Sequence, residues 1–293
     1  MSAVTGSRSG AALVLGTVQF GLDYGVAGRG EVVPEPEVRS LLELAAASGI
    51  TTLDTAPAYG DIEARLSALS KGLPLSVVSK IAAVPVDAAD AGAAVRASVR
   101  QSIDRLGDRL TTLLFHKADD LFRPDADVIW RSALDEAGPV RVGVSVYDPA
   151  VLVRLCARYG ICVAQLPANP LDQRLRRPGV ADALVGMEIH ARSAFLQGLL
   201  LAPVSKVQEE VPAAVDAHDR WTAWCRGQGL SPLQAALAVT RALPCVSACV
   251  VGVDRRVHLE QILAAAEQSP PQEAPQLQSD DLNVIDPRRW SAA

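Results

Sequence analysis

Thr51-Thr52-Leu53-Asp54-Thr55-Ala56-Pro57-Ala58-Tyr59-Gly60 changes character in mid-run. Its first three residues are β-branched or apolar and the fourth is a carboxylate, as in a short strand that leaves a buried sheet. The next six hold Pro, Gly and small side chains and read as a loop. A helical pattern follows at 61–70 and a second β-rich run at 76–79, so the unit is strand, loop, helix, strand.

Outward from this unit the alternation continues in both directions. Strand signals fall at 12–17, 51–54, 76–79, 112–115, 142–145, 162–166, 188–191 and 248–251. Helical patterns fall at 37–47, 61–70, 91–106, 125–136, 149–158, 180–185, 211–228, 231–243 and 256–266. In the first helix Val38, Leu41, Leu42, Leu44 and Ala45 recur at helical spacing, behind Pro34 and Pro36 and ahead of Gly49. Ser231 and Pro232 supply a cap and a first-turn proline for the helix they open. The first loop is glycine-rich, with Gly21, Gly25, Gly28 and Gly30.

Strands each followed by a helix imply right-handed crossovers and a parallel sheet. Eight such units predict an α/β fold of the (β/α)8 TIM-barrel type, and 293 residues suit one barrel of about 250. No G-x-G-x-x-G follows the first strand, which removes the main support for a Rossmann domain. Residues 1–293 therefore read as one barrel domain with tails at 1–10 and about 270–293. The second tail, rich in Pro, Gln and acids, is expected to be extended surface chain carrying a lone Trp290.

Composition narrows the function classes. A net charge of −5 gives no basic face for nucleic acid. No apolar run reaches the roughly 18–20 residues of a membrane span, and residues 1–10 do not read as a secretory signal. The cysteines, Cys156, Cys162, Cys225, Cys245 and Cys249, form no C-x-x-C pair and have no paired-His motif for a metal. They are expected to be buried thiols in a reducing cytoplasm.

In a barrel the chemistry lies at the carboxyl ends of the strands. Asp54 ends the second strand, Lys80 immediately follows the third, His116 ends the fourth, and Tyr59 sits in the loop between Asp54 and Lys80. Each alone has an ordinary use, such as a turn cap, a solvated cation, loop packing or a satisfied histidine. Their convergence on one mouth is what points to chemistry. An Asp beside a Lys keeps the ammonium charged and oriented, at the cost of desolvating both. That charge favours phenolate formation at a neighbouring Tyr, lowering a pKa ordinarily near 10. A tuned phenol can protonate a carbonyl oxygen, and a neutral imidazole can orient it.

The run from Leu53 to Gly60 resembles the signature loop of the aldo-keto reductase superfamily. Leu15-Gly16-Thr17-Val18-Gln19-Phe20-Gly21 is similar to that family's first-strand segment, and Ser79-Lys80 and Phe115-His116 follow in the expected order. The resemblance implies Tyr59 as general acid, Lys80 and Asp54 tuning it, and His116 positioning the substrate carbonyl. It further implies a reduced nicotinamide at the same mouth. Gly143-Val144-Ser145 resembles a nicotinamide-carboxamide motif, with Ser145 matching and Val146 standing where an Asn is expected. Gln165 matches the strand-six Gln of that site, and Arg192 replaces a stacking aromatic. Gly252, Arg255 and Arg256 fall where the adenosine phosphate is received. Two arginines at a helix start favour a 2′-phosphate, hence NADP(H), with NAD(H) as the other choice; His258, Ile262 and Asp254 depart from the NADP pattern.

Phe20, Asp23 and Tyr24, residues 117–122 and Trp290 are expected to join Tyr59 and His116 around a small-molecule carbonyl substrate. Two other readings stay open: a cofactor-holding regulatory relative with little turnover, and a lyase or isomerase barrel in which Lys80 forms a Schiff base.

Overall fold

A computed structural model describes residues 11–24, 31–269, 271 and 275–290. Residues 1–10, and Gly25, Gly28 and Gly30 of the first loop, lie outside the described residues. The strands are β1 (Ala12–Gly16), β2 (Thr52–Asp54), β3 (Ser76–Ile81), β4 (Leu110–Phe115), β5 (Arg141–Ser145), β6 (Val163–Pro167), β7 (Glu188–Arg192) and β8 (Val246–Gly252). They stand side by side in chain order, every neighbouring pair parallel, and β8 closes on β1. The fold is the expected (β/α)8 barrel.

The helices among the described residues are α1 (Glu35–Ala47), α2 (Ile62–Leu69), α3 (Ala91–Leu106), α4 (Ala126–Ala137), α5 (Pro149–Tyr159) and α6 (Val180–Ala183). They continue as α7 (Val204–Glu210), α8 (Val215–Gly227), α9 (Pro232–Arg241), α10 (Arg256–Ala266) and α11 (Leu282–Ile285). Local chemistry sets several boundaries. Asp90 caps α3 by accepting from the Ala93 amide at 2.8 Å. Asp148 does the same for α5, ahead of Pro149. Ser231 and Gln234 form a reciprocal capping box at the start of α9, which satisfies two amides that a helix otherwise leaves unpaired.

Apolar faces of the helices meet the outward faces of the strands in one continuous core. A second cluster lies under the C-terminal helices, where Leu196, Leu199, Leu200, Val207, Trp221 and Ile285 are fully buried. Register places the strand ends at one mouth: Gly16 lies beside Asp54 and Gly252, Ser145 beside Gln165, and Pro167 beside Arg192.

Four expectations need correction. β3 runs two residues beyond the predicted end, so Lys80 lies within the strand rather than after it. Helix α7 was not anticipated, because only Val207 of its seven residues is buried and the sequence carries little periodicity. The C-terminal tail is not extended throughout. It forms α11 and a 3-10 turn at Pro287–Arg289, and it buries Val284 and Ile285 in the second cluster. Finally, Cys225 and Cys249 are buried, with thiols pushed up to about 12 by desolvation, but Cys162 is exposed.

Candidate active site

Asp54 is the last residue of β2, and its backbone is pinned by Thr17, whose amide and hydroxyl donate to the Asp54 carbonyl at 2.9 and 3.0 Å. The neighbouring strand delivers Lys80. Its Nζ donates to Asp54 Oδ2 at 2.6 Å and to the Thr55 carbonyl at 3.0 Å. Lys80 is 1% exposed and Asp54 4%, so this ion pair is withdrawn from water. From β6 Gln165 donates its amide to the same Oδ2 at 2.7 Å. One carboxylate oxygen thus ties strands two, three and six together.

Tyr59 is held by a turn in which its amide donates to the Ala56 carbonyl. Gly21 makes this placement feasible. A Cβ there would lie 1.8 Å from the Tyr59 carbonyl oxygen, so only glycine lets the β1 loop close against the Tyr59 loop. His116 follows β4 directly, its amide donating to the Ile81 carbonyl at 3.1 Å. The Tyr59 and His116 rings meet edge to face, centroids 6.1 Å apart. The four residues expected to converge on one mouth do so.

Burial dominates the electrostatics. It holds the His116 imidazole down at about 4, with the Lys80 and Arg192 charges pushing the same way, so the ring is neutral at pH 7. It draws the Lys80 ammonium below its ordinary range, against the pull of Asp54. Tyr59 is held above its ordinary value of 10 by burial first and by Asp54 second, with Arg192 opposing. The expected lowering of the phenol by Lys80 is therefore not present in this arrangement. Asp54 balances the ammonium locally, and no hydrogen bond joins Lys80 to the Tyr59 hydroxyl. Tyr59 stands as a protonated phenol.

The second half of the mouth is built differently. Ser145 closes β5 opposite Gln165, and Val146, buried, donates its amide to the Gln165 carbonyl. Arg192 closes β7 half-buried. Its guanidinium lies 4.0 Å from the centre of the Tyr147 ring, with weak hydrogen bonds to the Val146 carbonyl and Ser193 Oγ at 3.4 and 3.5 Å. Arg288 from the tail covers Tyr147 at 3.4 Å and is held by Asp286. Sequence reading missed Tyr147. Its signal was its place two residues past the end of β5, in the one loop where an Asn had been sought.

Beyond Arg192 the backbone is strained: Ser193, Leu196 and Gln197 adopt positive φ of 59°, 49° and 54°. Such conformations persist in non-glycine residues only where their surroundings impose them. Gln197 donates to the Tyr24 hydroxyl at 2.9 Å, which places Tyr24 at the rim. Phe20 is fully buried in the main core and presents no surface to a ligand. Trp290 donates its indole to the Asn283 carbonyl within the tail. Gly252 ends β8, where a Cβ would collide with the Gln19 amide at 2.6 Å. Arg255 is exposed, and Arg256 binds Ser40 and Glu260. Ile262, noted as a departure from the NADP pattern, is buried in the main core.

The parallel eight-stranded barrel thus carries a buried Asp–Lys pair, a phenol and a neutral imidazole at the carboxyl ends of its strands. The model of the Aldo/keto reductase family matches residues 12–279, and the chain belongs to that family. Among solved structures it is similar to two from Pseudomonas aeruginosa, both described as aldo-keto reductases by assignment. One is 26% identical with a TM-score of 0.64, the other 27% identical with a TM-score of 0.63. In each case 88% of this chain and 90% of the other are covered. No curated protein matches the chain. Members of this family act on small-molecule carbonyl compounds and generally use nicotinamide cofactors. No helix among the described residues is long and apolar enough to cross a membrane.

Proposed function

We propose that the chain reduces an aldehyde or ketone to the corresponding alcohol with a nicotinamide dinucleotide, and that Tyr59 supplies the proton. The observation that carries this reading is the buried Lys80–Asp54 pair at 2.6 Å behind the Tyr59–His116 ring contact. The donor set also suits a nicotinamide carboxamide. Gln165 spends its N–H on Asp54, which leaves its side-chain carbonyl as an acceptor, and the Ser145 hydroxyl has no partner among the described residues. An acceptor and a donor on adjacent strands match an amide that offers one of each. Gln19 Oε1, buried beside Gly252 without a partner among the described residues, is a further open acceptor next to β8.

When bound, the nicotinamide supplies a hydride to the carbonyl carbon. Tyr59 donates its proton to the carbonyl oxygen as that oxygen gains charge. His116, neutral, hydrogen-bonds the same oxygen and orients it. Lys80 offsets the phenolate that remains, and Asp54 keeps Lys80 charged and in place. Arg192 lines the nicotinamide side of the mouth, and Gly252, Arg255 and Arg256 mark the adenosine end.

Lys80 already gives hydrogen bonds to Asp54 and Thr55, which disfavours the Schiff-base alternative. The intact set of four disfavours a regulatory role without turnover.

The test is a dinucleotide-oxidation screen over sugars, small aldehydes and cyclic ketones, run on the wild type and on Tyr59→Phe. With the best substrate, Tyr59→Phe is expected to lose about 10²–10⁴-fold in kcat while still binding the dinucleotide. Wild-type reduction by Tyr59→Phe would remove Tyr59 as the acid. A borohydride-trapped adduct on Lys80 would transfer the function to the Schiff-base reading.

A further inference from the structure

Helix α10 begins at Arg256, immediately after the turn that follows β8. A helix start offers unpaired amides and a positive dipole end, and a phosphate is the usual anion to take them. Here an internal anion is already in place: the Arg256 amide donates to Glu37 Oε1 of α1 at 2.7 Å.

The guanidiniums do not restore the balance. Arg256 is spent on Ser40 Oγ at 3.0 Å, the Ser40 carbonyl at 3.4 Å and Glu260 at 3.0 Å. Arg255 is exposed and has no partner among the described residues, so it is the one cation in this turn left to meet a ligand. Against it stands Asp254, mostly buried, with an oxygen 2.6 Å from His258 Nδ1. Glu37, Asp254 and Glu260 thus face two arginines, one of them engaged.

From this geometry, and resting on the dinucleotide-dependent reading above, we infer that the turn after β8 takes NAD(H) in preference to NADP(H), with Glu37 as the specificity-determining residue. A ribose 2′-hydroxyl is a donor, and a carboxylate at a dinucleotide site accepts from it. A 2′-phosphate only accepts, carries up to two negative charges, and would have to displace Glu37 from α10 or lie beside it. This reverses the preference that two adjacent arginines suggest in the sequence. Sequence spacing showed the arginines but not the α1 carboxylate, which is 219 residues away from the amide it caps.

The experiment is calorimetric titration of the full chain with NADH and with NADPH, without carbonyl substrate. NADH is expected to bind at least tenfold more tightly. Glu37→Gln keeps an acceptor for the Arg256 amide while removing the charge, and should narrow the gap by about fivefold or more through tighter NADPH binding. Asp254→Asn, a second variant, should narrow it by a smaller factor. NADPH binding as tightly as NADH, or a gap unchanged in both variants, overturns the inference and leaves the proposed function standing. Failure of the wild type to bind either dinucleotide overturns the proposed function and this inference with it.

Discussion

The two halves of the barrel mouth are built on opposite plans. The ends of β2 and β3 are wired by short hydrogen bonds through Asp54, withdrawn from water, with the Tyr59 and His116 rings meeting edge to face beside them. The ends of β5 and β7 are held by stacking instead, with Tyr147 between Arg192 and Arg288, followed by a strained loop. A group that must hold a proton at a defined atom needs the first kind of support. A surface that admits and releases a large ligand is served by the second, because stacked side chains slide at little cost. The halves meet only lightly: Gln165 of β6 reaches Asp54, and Arg192 acts on Tyr59 and His116 through its charge.

The sharpest way to break this comparison is to remove the wire. Asp54→Ala leaves the Lys80 ammonium buried with the Thr55 carbonyl as its remaining partner and frees the Gln165 amide. Breaking a buried pair from one side costs about 3–5 kcal/mol. Urea unfolding of the variant should show a loss of that order, and the double variant Asp54→Ala/Lys80→Met should recover part of it. A loss below about 1 kcal/mol would mean that the pair is not withdrawn from water as the structure has it.

The legibility of the sequence follows the same divide. The barrel could be read because each strand–helix unit is local, and a period of two or of 3.6 is visible within a dozen residues. The four residues of that half could be read because Asp54 ends a strand, Tyr59 and His116 follow one, and Lys80 lies one residue before the end of another. The other half depends on pairs far apart in the chain. Arg288 reaches Tyr147 from the tail, and Glu37 reaches the Arg256 amide across the closure of the barrel. Neither leaves a periodic mark. Residue type also misled where burial decides: Phe20 reads as a pocket aromatic but lies in the core. The Tyr59 phenol, expected to be lowered by Lys80, is raised because desolvation outweighs a charge that Asp54 already balances.

A smaller effect separates the halves by pH. In the folded chain His116 titrates near 4 and in the unfolded chain near 6.5, so the unfolded state binds the proton first. Stability from this group is complete above about 6.5 and is lost as pH falls towards 4, by about 2 kcal/mol after allowance for partial exposure. Glu188, held at about 2, gives its loss below its ordinary 4.5 and so acts mostly in a lower window. His218, lowered by burial on the inner face of α8, adds in the same direction as His116. The difference between wild type and His116→Gln, measured by thermal melts from pH 4 to 7, isolates the share of His116. Parallel profiles would show that His116 is not desolvated.

The smallest expected change tests whether stacking, rather than wiring, governs the second half. Arg192→Ala removes one cation from the Tyr147 ring and two hydrogen bonds at the limit of length. Such a contact contributes about 0.5–1 kcal/mol, so the melting transition should move little. The same charge pushes the His116 imidazole down and the Tyr59 phenol down. Its removal should therefore raise the midpoint of the acid-limb stability profile assigned to His116, by about a few tenths of a pH unit. A stability loss above about 2 kcal/mol with no movement of that midpoint would make Arg192 a structural support. The two halves would then share one plan.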